Sequence, residues 1–79
     1  LKVGVFVNES LENIVEIAHT AKLNALQLHG EETPEFAKEL KAKTNLEIIK
    51  AFRVSPKFKP EDVLQYEVDA ILLDAYNPK

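Results

Sequence analysis

The chain contains no cysteine, so neither a disulfide framework nor a thiolate metal site holds it together. Its fold has to come from packing. Glycine is scarce as well: Gly4 and Gly30 are the only two, far short of a phosphate loop or a dinucleotide fingerprint. Histidine is limited to His19 and His29, one of them on a helix flank, so no metal site is expected. No apolar run approaches the roughly 20 residues a membrane span needs. Nor is there an excess of positive charge. Ten Lys and Arg face thirteen Asp and Glu for a net charge of −3, and the basic residues are spread along the chain. Nucleic acid and an anionic membrane are therefore not expected as partners. The composition, 46% apolar and 29% charged, is that of a globular domain for which a cytoplasmic setting is the expectation. Methionine is absent, and Leu1-Lys2-Val3 resembles neither an initiator end nor a secretion signal. These features fit residues 1–79 being an excised segment, a partial domain.

What is present is a regular alternation. The runs KVGVFV (2–7), ALQL (25–28), EIIKAF (47–52) and AILL (70–73) are short and aliphatic, as strands buried on both faces should be. Between them lie helical patterns. Leu11, Ile14, Val15, Ala18 and Ala21 form one apolar stripe behind a Ser10 N-cap. Thr33-Pro34-Glu35 presents a cap, a first-turn proline and a first-turn acid in helix-starting order, with Phe36, Ala37, Leu40 and Ala42 on the inner stripe. A short third helix starts at Pro60-Glu61-Asp62, and Val63, Leu64 and Tyr66 are expected to pack inward. The order βαβαβαβ, with a strand roughly every 22 residues, predicts an α/β fold of parallel strands joined by right-handed helical crossovers.

In parallel α/β folds, ligands collect at the carboxyl ends of the strands. Here those ends read Val7-Asn8, His29-Gly30, Phe52-Arg53 and Asp74-Ala75: an amide, an imidazole, a guanidinium and a carboxylate on one rim. Side-chain alternation places Leu26 and Leu28 on a helix-covered face, turning Ala25, Gln27 and His29 to the other. Ile71 and Leu73 take the same outer role, leaving Ala70, Leu72 and Asp74 inside. If Ile49 and Ala51 face the helices, Lys50 points inward; alternatively its stem packs and its ammonium snorkels to the surface. Arg53 lies past the end of its run, so its direction is open. His19 reads as a surface residue. Asp74 is the strongest single candidate, because a carboxylate closing AILLD is costly to bury unless paired or protonated, and a raised pKa suits a general acid.

VGVFVN (3–8), LQLHGEE followed by Pro34, IIKAFRV (48–54) and ILLDAYNP (71–78), in this order and spacing, closely resemble the phosphoribosylanthranilate isomerase family of tryptophan biosynthesis. The resemblance spans essentially the whole chain. It implies a (βα)₈ TIM barrel, of which these residues are the third through sixth strands. It also implies an Amadori rearrangement of a phosphoribosyl anthranilate, a small-molecule aminoaldose phosphate, to an aminoketose phosphate without a cofactor. By the resemblance Asp74 is the general acid and His29 lines the substrate pocket with Gln27 beside it; from their place at the strand ends, Asn8 and Arg53 join them as substrate-binding candidates. The family has a cysteine base in a CGIT-like motif, an arginine for the anthranilate carboxylate and glycine-rich phosphate loops, none of which matches residues here. Where the family commonly has Thr after the acid, Ala75 stands. The segment by itself is expected to be inactive and to self-associate through the exposed edges KVGVFV and AILLD.

Two other functions compete: a different phosphosugar-handling TIM-barrel enzyme, since shared architecture does not determine chemistry, and a non-catalytic binding domain with an open, doubly wound sheet. The second requires a first strand in the middle of the sheet.

Overall fold

The computed structural model describes residues 1–75, Ala75 by its backbone alone; Tyr76, Asn77 and Pro78 of the last motif lie outside the described residues. The elements are β1 (Val3–Phe6), α1 (Leu11–Thr20), β2 (Ala25–Leu28), α2 (Pro34–Thr44), β3 (Glu47–Val54), α3 (Pro60–Val63) and β4 (Ala70–Ala75). All four strands are parallel and lie in the order β1-β2-β3-β4. With right-handed crossovers, an order that never reverses keeps successive helices on one face. A doubly wound sheet needs a reversal to form its ligand crevice, and these strands have none.

The helix starts follow their caps. Ser10 Oγ accepts from the Asn13 amide at 3.2 Å, and Thr33 Oγ1 accepts from the Phe36 amide at 3.1 Å ahead of Pro34. Helix α2 stops at Asn45, whose φ of 56° is left-handed, a conformation Asn tolerates better than most residues. The apolar stripes of α1 and α2, Ile14 and Ala18 with Ala37 and Leu40, close on Phe6, Leu26, Leu28 and Ile48 of the sheet. Ala42 is exposed, outside the expected stripe. Helix α3 is a single turn without a buried residue, and Leu64 beyond it is 84% exposed instead of packing inward. One turn cannot carry an apolar stripe. Tyr66 alone of that group reaches far inward, edge-on to Phe52 with ring centroids 5.2 Å apart.

Register decides the faces. Leu26 pairs with Ile48, and Leu28 with Lys50, which in turn pairs with Ile71. Neighbours across a sheet point the same way, so Lys50 faces the helices with Ile48 and Phe52, while Ile49, Ala51 and Arg53 share the opposite face with Gln27 and Asp74. The condition for an inward Lys50, Ile49 and Ala51 facing the helices, is therefore not met, and its ammonium does not snorkel to the surface either, since Lys50 is buried. The run EIIKAF carries one charged residue at each parity, Glu47 and Lys50, and is otherwise apolar, so alternation within it has two solutions. The second strand face is not buried as the runs suggested: Val5 is 58% and Leu72 45% exposed, because among the described residues nothing packs over them.

Candidate functional site

The carboxyl ends of the strands gather the polar residues. His29 follows β2 directly and Asp74 lies in β4, and their side chains meet across the rim with Nε2 and Oδ2 3.6 Å apart. Gln27, two residues before His29 and therefore on the same face, sets its amide nitrogen 3.3 Å from His29 Nδ1. An amide nitrogen only donates, so in this orientation Nδ1 accepts and the ring proton sits on Nε2, toward Asp74. The Asp74 side chain is 52% exposed, in contrast to the burial inferred from AILLD, since no described residue covers its face.

Arg53 is inside β3, which runs two residues beyond the apolar stretch to Val54, and it pairs in register with Asp74. Its direction is thereby settled: it shares the face of Asp74 and is exposed. A cavity of about 400 Å³ opens between His29, Glu31, Phe52, Arg53 and Tyr66. Four of the five proposed rim residues, Gln27, His29, Arg53 and Asp74, thus lie on one face at one end of the sheet.

Asn8 also reaches the rim but is engaged in bracing it. Held at a left-handed φ of 52°, it accepts from the Glu31 amide through Oδ1 at 2.7 Å. The same closeness explains Gly30: a Cβ there would lie 2.5 Å from Asn8 Oδ1 and 2.8 Å from Asn8 N. Gly30 is required for this approach and not for an unusual φ, since no glycine has a positive one.

Sequence patterns did not reveal Glu32 or Tyr66 as part of this end. Glu32 is buried, at 6% exposure, and Lys50 at 2%. Glu32 Oε2 accepts from the Asn8 amide and Oε1 from the Gly30 amide, both at 2.8 Å, and Lys50 Nζ lies 3.0 Å from Oε1. Burial alone would push the Glu32 carboxyl up, but the bonds from the Asn8 amide, Lys50 and the Gly30 amide outweigh it and hold it below the usual range. Lys50 Nζ also donates to Gly30 O at 2.6 Å and sits 5.6 and 5.7 Å from the Phe52 and Tyr66 ring centroids. The Tyr66 hydroxyl donates to the Glu32 carbonyl; burial, followed by the Glu32, Asp62 and Glu35 charges, raises its pKa. The available signal was the Glu-Glu pair after His29-Gly30, but nothing local said which acid would turn inward.

Among the described residues no group of three or more His, Cys, Asp or Glu is arranged to hold a metal ion, and no helix is long and apolar enough to cross a membrane.

The sequence model of the N-(5'phosphoribosyl)anthranilate (PRA) isomerase family matches residues 1–79. The N-(5'-phosphoribosyl)anthranilate isomerase of Trichodesmium erythraeum is 44% identical, over 99% of this chain and 36% of that relative. The crystal structure of phosphoribosyl anthranilate isomerase from Thermotoga maritima superposes with a TM-score of 0.83 at 43% identity, covering 98% of this chain and 37% of that one. A second structure of the enzyme, in complex with reduced 1-(O-carboxyphenylamino)-1-deoxyribulose 5-phosphate, gives 0.80 at 43% identity, over 95% of this chain and 38% of that one. The chain thus spans between 36% and 38% of the length of these relatives. Its four strands and their helices match part of a TIM barrel. With the family model matched from end to end and the barrel geometry in agreement, the chain belongs to the PRA isomerase family.

Proposed function

We propose that these residues form part of the active rim of an enzyme converting N-(5-phosphoribosyl)anthranilate to its 1-amino-1-deoxyribulose phosphate isomer. The observation that carries this is the meeting of His29 and Asp74, 3.6 Å apart at the strand ends, in a chain of this family. Asp74 is the general acid. It protonates the furanose ring oxygen as the bond from that oxygen to the anomeric carbon breaks, leaving a Schiff base with the anthranilate nitrogen. A base supplied from outside these residues then removes the proton on the adjacent carbon, and the resulting enolamine becomes the aminoketose. No atom is gained or lost.

The neighbours of Asp74 support the acid's conjugate form. The His29 Nε2 proton, directed there by Gln27, faces the carboxylate that remains after the transfer. The 3.6 Å separation is longer than a hydrogen bond, so the two groups interact here electrostatically and not through a formed bond. Arg53, exposed beside Asp74, supplies positive charge to a substrate bearing a phosphate and a carboxylate. The solved relative is bound to a compound that carries both groups by its name. Asn8 contributes through the loop it braces. Phosphorylated intermediates do not cross a bilayer unaided, which favours the cytoplasm as the setting.

Turnover of the phosphoribosyl anthranilate by the full-length protein containing these residues tests the reading. Asp74→Asn should lower kcat by about 10²-fold or more; turnover that survives nearly intact overturns the acid assignment. A chain limited to these 79 residues lacks the base and should show no turnover. Its β1 and β4 edges, unpaired among the described residues, favour self-association, and a monomer in sedimentation at high concentration would refute that.

A further inference from the structure

On the helix-facing side of the sheet, directly behind His29, lies a buried ion pair that the proposed reaction does not use. Lys50 and Glu32 are almost wholly enclosed. A buried pair is in general no more stabilising than well-packed apolar residues of the same volume. Its geometry here is specific. Both backbone groups of Gly30, the residue after His29, are occupied by it: the amide donates to Glu32 at 2.8 Å, and the carbonyl accepts from Lys50 at 2.6 Å. The other carboxylate oxygen of Glu32 takes the Asn8 amide at 2.8 Å. Asn8 returns a bond to the same loop through Glu31, and the Tyr66 hydroxyl donates to the Glu32 backbone carbonyl. One carboxylate and one ammonium thereby join the end of β1, the end of β2 and the middle of β3, and the Glu32 backbone carbonyl adds the segment leading into β4.

We infer that Glu32 and Lys50 are positioning residues that set the His29 imidazole against Asp74 by clamping both backbone groups of Gly30. Both act through the peptide groups of Gly30, Glu32 on the amide of the His29-Gly30 peptide and Lys50 on the carbonyl of the Gly30-Glu31 peptide. The inference rests on the proposed role of His29 as a substrate-facing residue. Charge alone does not explain the arrangement, because the Asn8 and Gly30 amides approach different oxygens of the carboxylate. An amide at position 32 has one oxygen and receives only one of them.

That difference supplies the test, in the full-length protein containing these residues. Glu32→Gln and Lys50→Met each strand a buried charge and should lower both the denaturation midpoint and turnover. The double variant Glu32→Gln/Lys50→Met removes both charges. It should regain part of the midpoint that each single variant loses, short of the wild-type value because a backbone amide and the Gly30 carbonyl are left unpaired. Its kcat should stay reduced by about tenfold to 10²-fold, the range a misplaced catalytic constellation produces, with KM changed less than kcat. The His29 ring resonances and the Gly30 and Asn8 amide resonances should shift in the same variant. A double variant that recovers kcat together with its midpoint, or leaves the His29 resonances in place, makes the pair purely structural and overturns the inference. Should these variants fail to fold, Tyr66→Phe removes only the hydroxyl donor to the Glu32 carbonyl, and unchanged kcat and unchanged Gly30 and His29 resonances in it have the same consequence. If the wild-type protein shows no isomerisation, the proposed function fails, and the His29 resonances still decide the positioning.

Discussion

Residues 6–51 hold every buried side chain among the described residues, whereas residues 52–74, which include Asp74, hold none. The first region has two helices whose N-termini are closed by side-chain caps and a cluster of aliphatic side chains clamped between them and the sheet. The second has a one-turn helix without a side-chain cap and a strand whose Ile71, Leu72 and Leu73 remain substantially exposed. Strand β4 is attached mainly by its ladder to β3 and by Asp69, which accepts from the Ile48 amide at 2.8 Å and from Lys41 at 3.1 Å. The difference separates stability from chemistry. The packed region positions His29 from behind, while Asp74 lies on an edge strand of the described sheet whose faces the described residues leave largely uncovered, in a chain that spans 36–38% of its relatives' length.

The comparison can be broken most directly at the pair behind His29. Lys50→Met leaves Glu32 buried without its counter-charge and should cost about 3–5 kcal/mol in urea denaturation of the full-length protein; a cost near zero would mean that the packed region does not depend on its polar centre. Ile48→Ala comes next, at about 2–5 kcal/mol, because this side chain is fully enclosed. In a chain limited to these 79 residues, where Leu73 is 57% exposed, Leu73→Ala should cost well under half as much as Ile48→Ala, and equal losses would erase the contrast between the two regions. At the helix starts the expected effects are smaller. Thr33→Ala should cost about 1 kcal/mol, whereas Lys59→Ala, at an N-cap making no side-chain bond, should leave the midpoint in place.

The effect of pH is the most gradual. Glu32 and Asp69 are both held below their usual values, Glu32 by bonds that outweigh its burial and Asp69 chiefly by the Ile48 amide and then Lys41. A carboxyl whose pKa is depressed on folding binds fewer protons in the folded state than in the unfolded one. Its contribution is therefore complete above the ordinary value, 4.5 for Glu32 and 3.8 for Asp69, and is lost as pH falls through the lower folded value. Denaturation midpoints recorded between neutral pH and pH 3 should decline on the acid side, and Glu32→Gln should flatten that decline. An unchanged acid slope in the variant would remove Glu32 from the account.

Much of this was legible along the chain. Ser10 and Thr33 announced their helices because a cap bond spans three residues, and the alternation of Leu26 and Leu28 with Gln27 and His29 revealed the two faces of β2 because only one parity there is aliphatic. In β3 the same argument was ambiguous, since Ile48 and Phe52 are as apolar as Ile49 and Ala51, and the face of Lys50 stayed conditional on which pair met the helices. The end of β3 was misjudged for a related reason. Arg53 looked like the start of a loop, yet its backbone continues the ladder to β4, whatever the polarity of its side chain. Asp74 was correctly placed on the rim, but its burial was not a property of the run it closes.

By itself the sequence determined the element order, the helix caps, the parallel character of the sheet and the polar identity of its rim, all consequences of periodicities and caps acting over a few residues. Only the tertiary structure decided that Lys50 turns toward the helices, that Glu32 is buried, and that Gly30 is needed for the approach of Asn8. The reason is distance along the chain. Glu32 meets Lys50 across 18 residues and Asn8 across 24, and Tyr66 reaches it across 34, so these partners exist only once strand register has brought the four ends together.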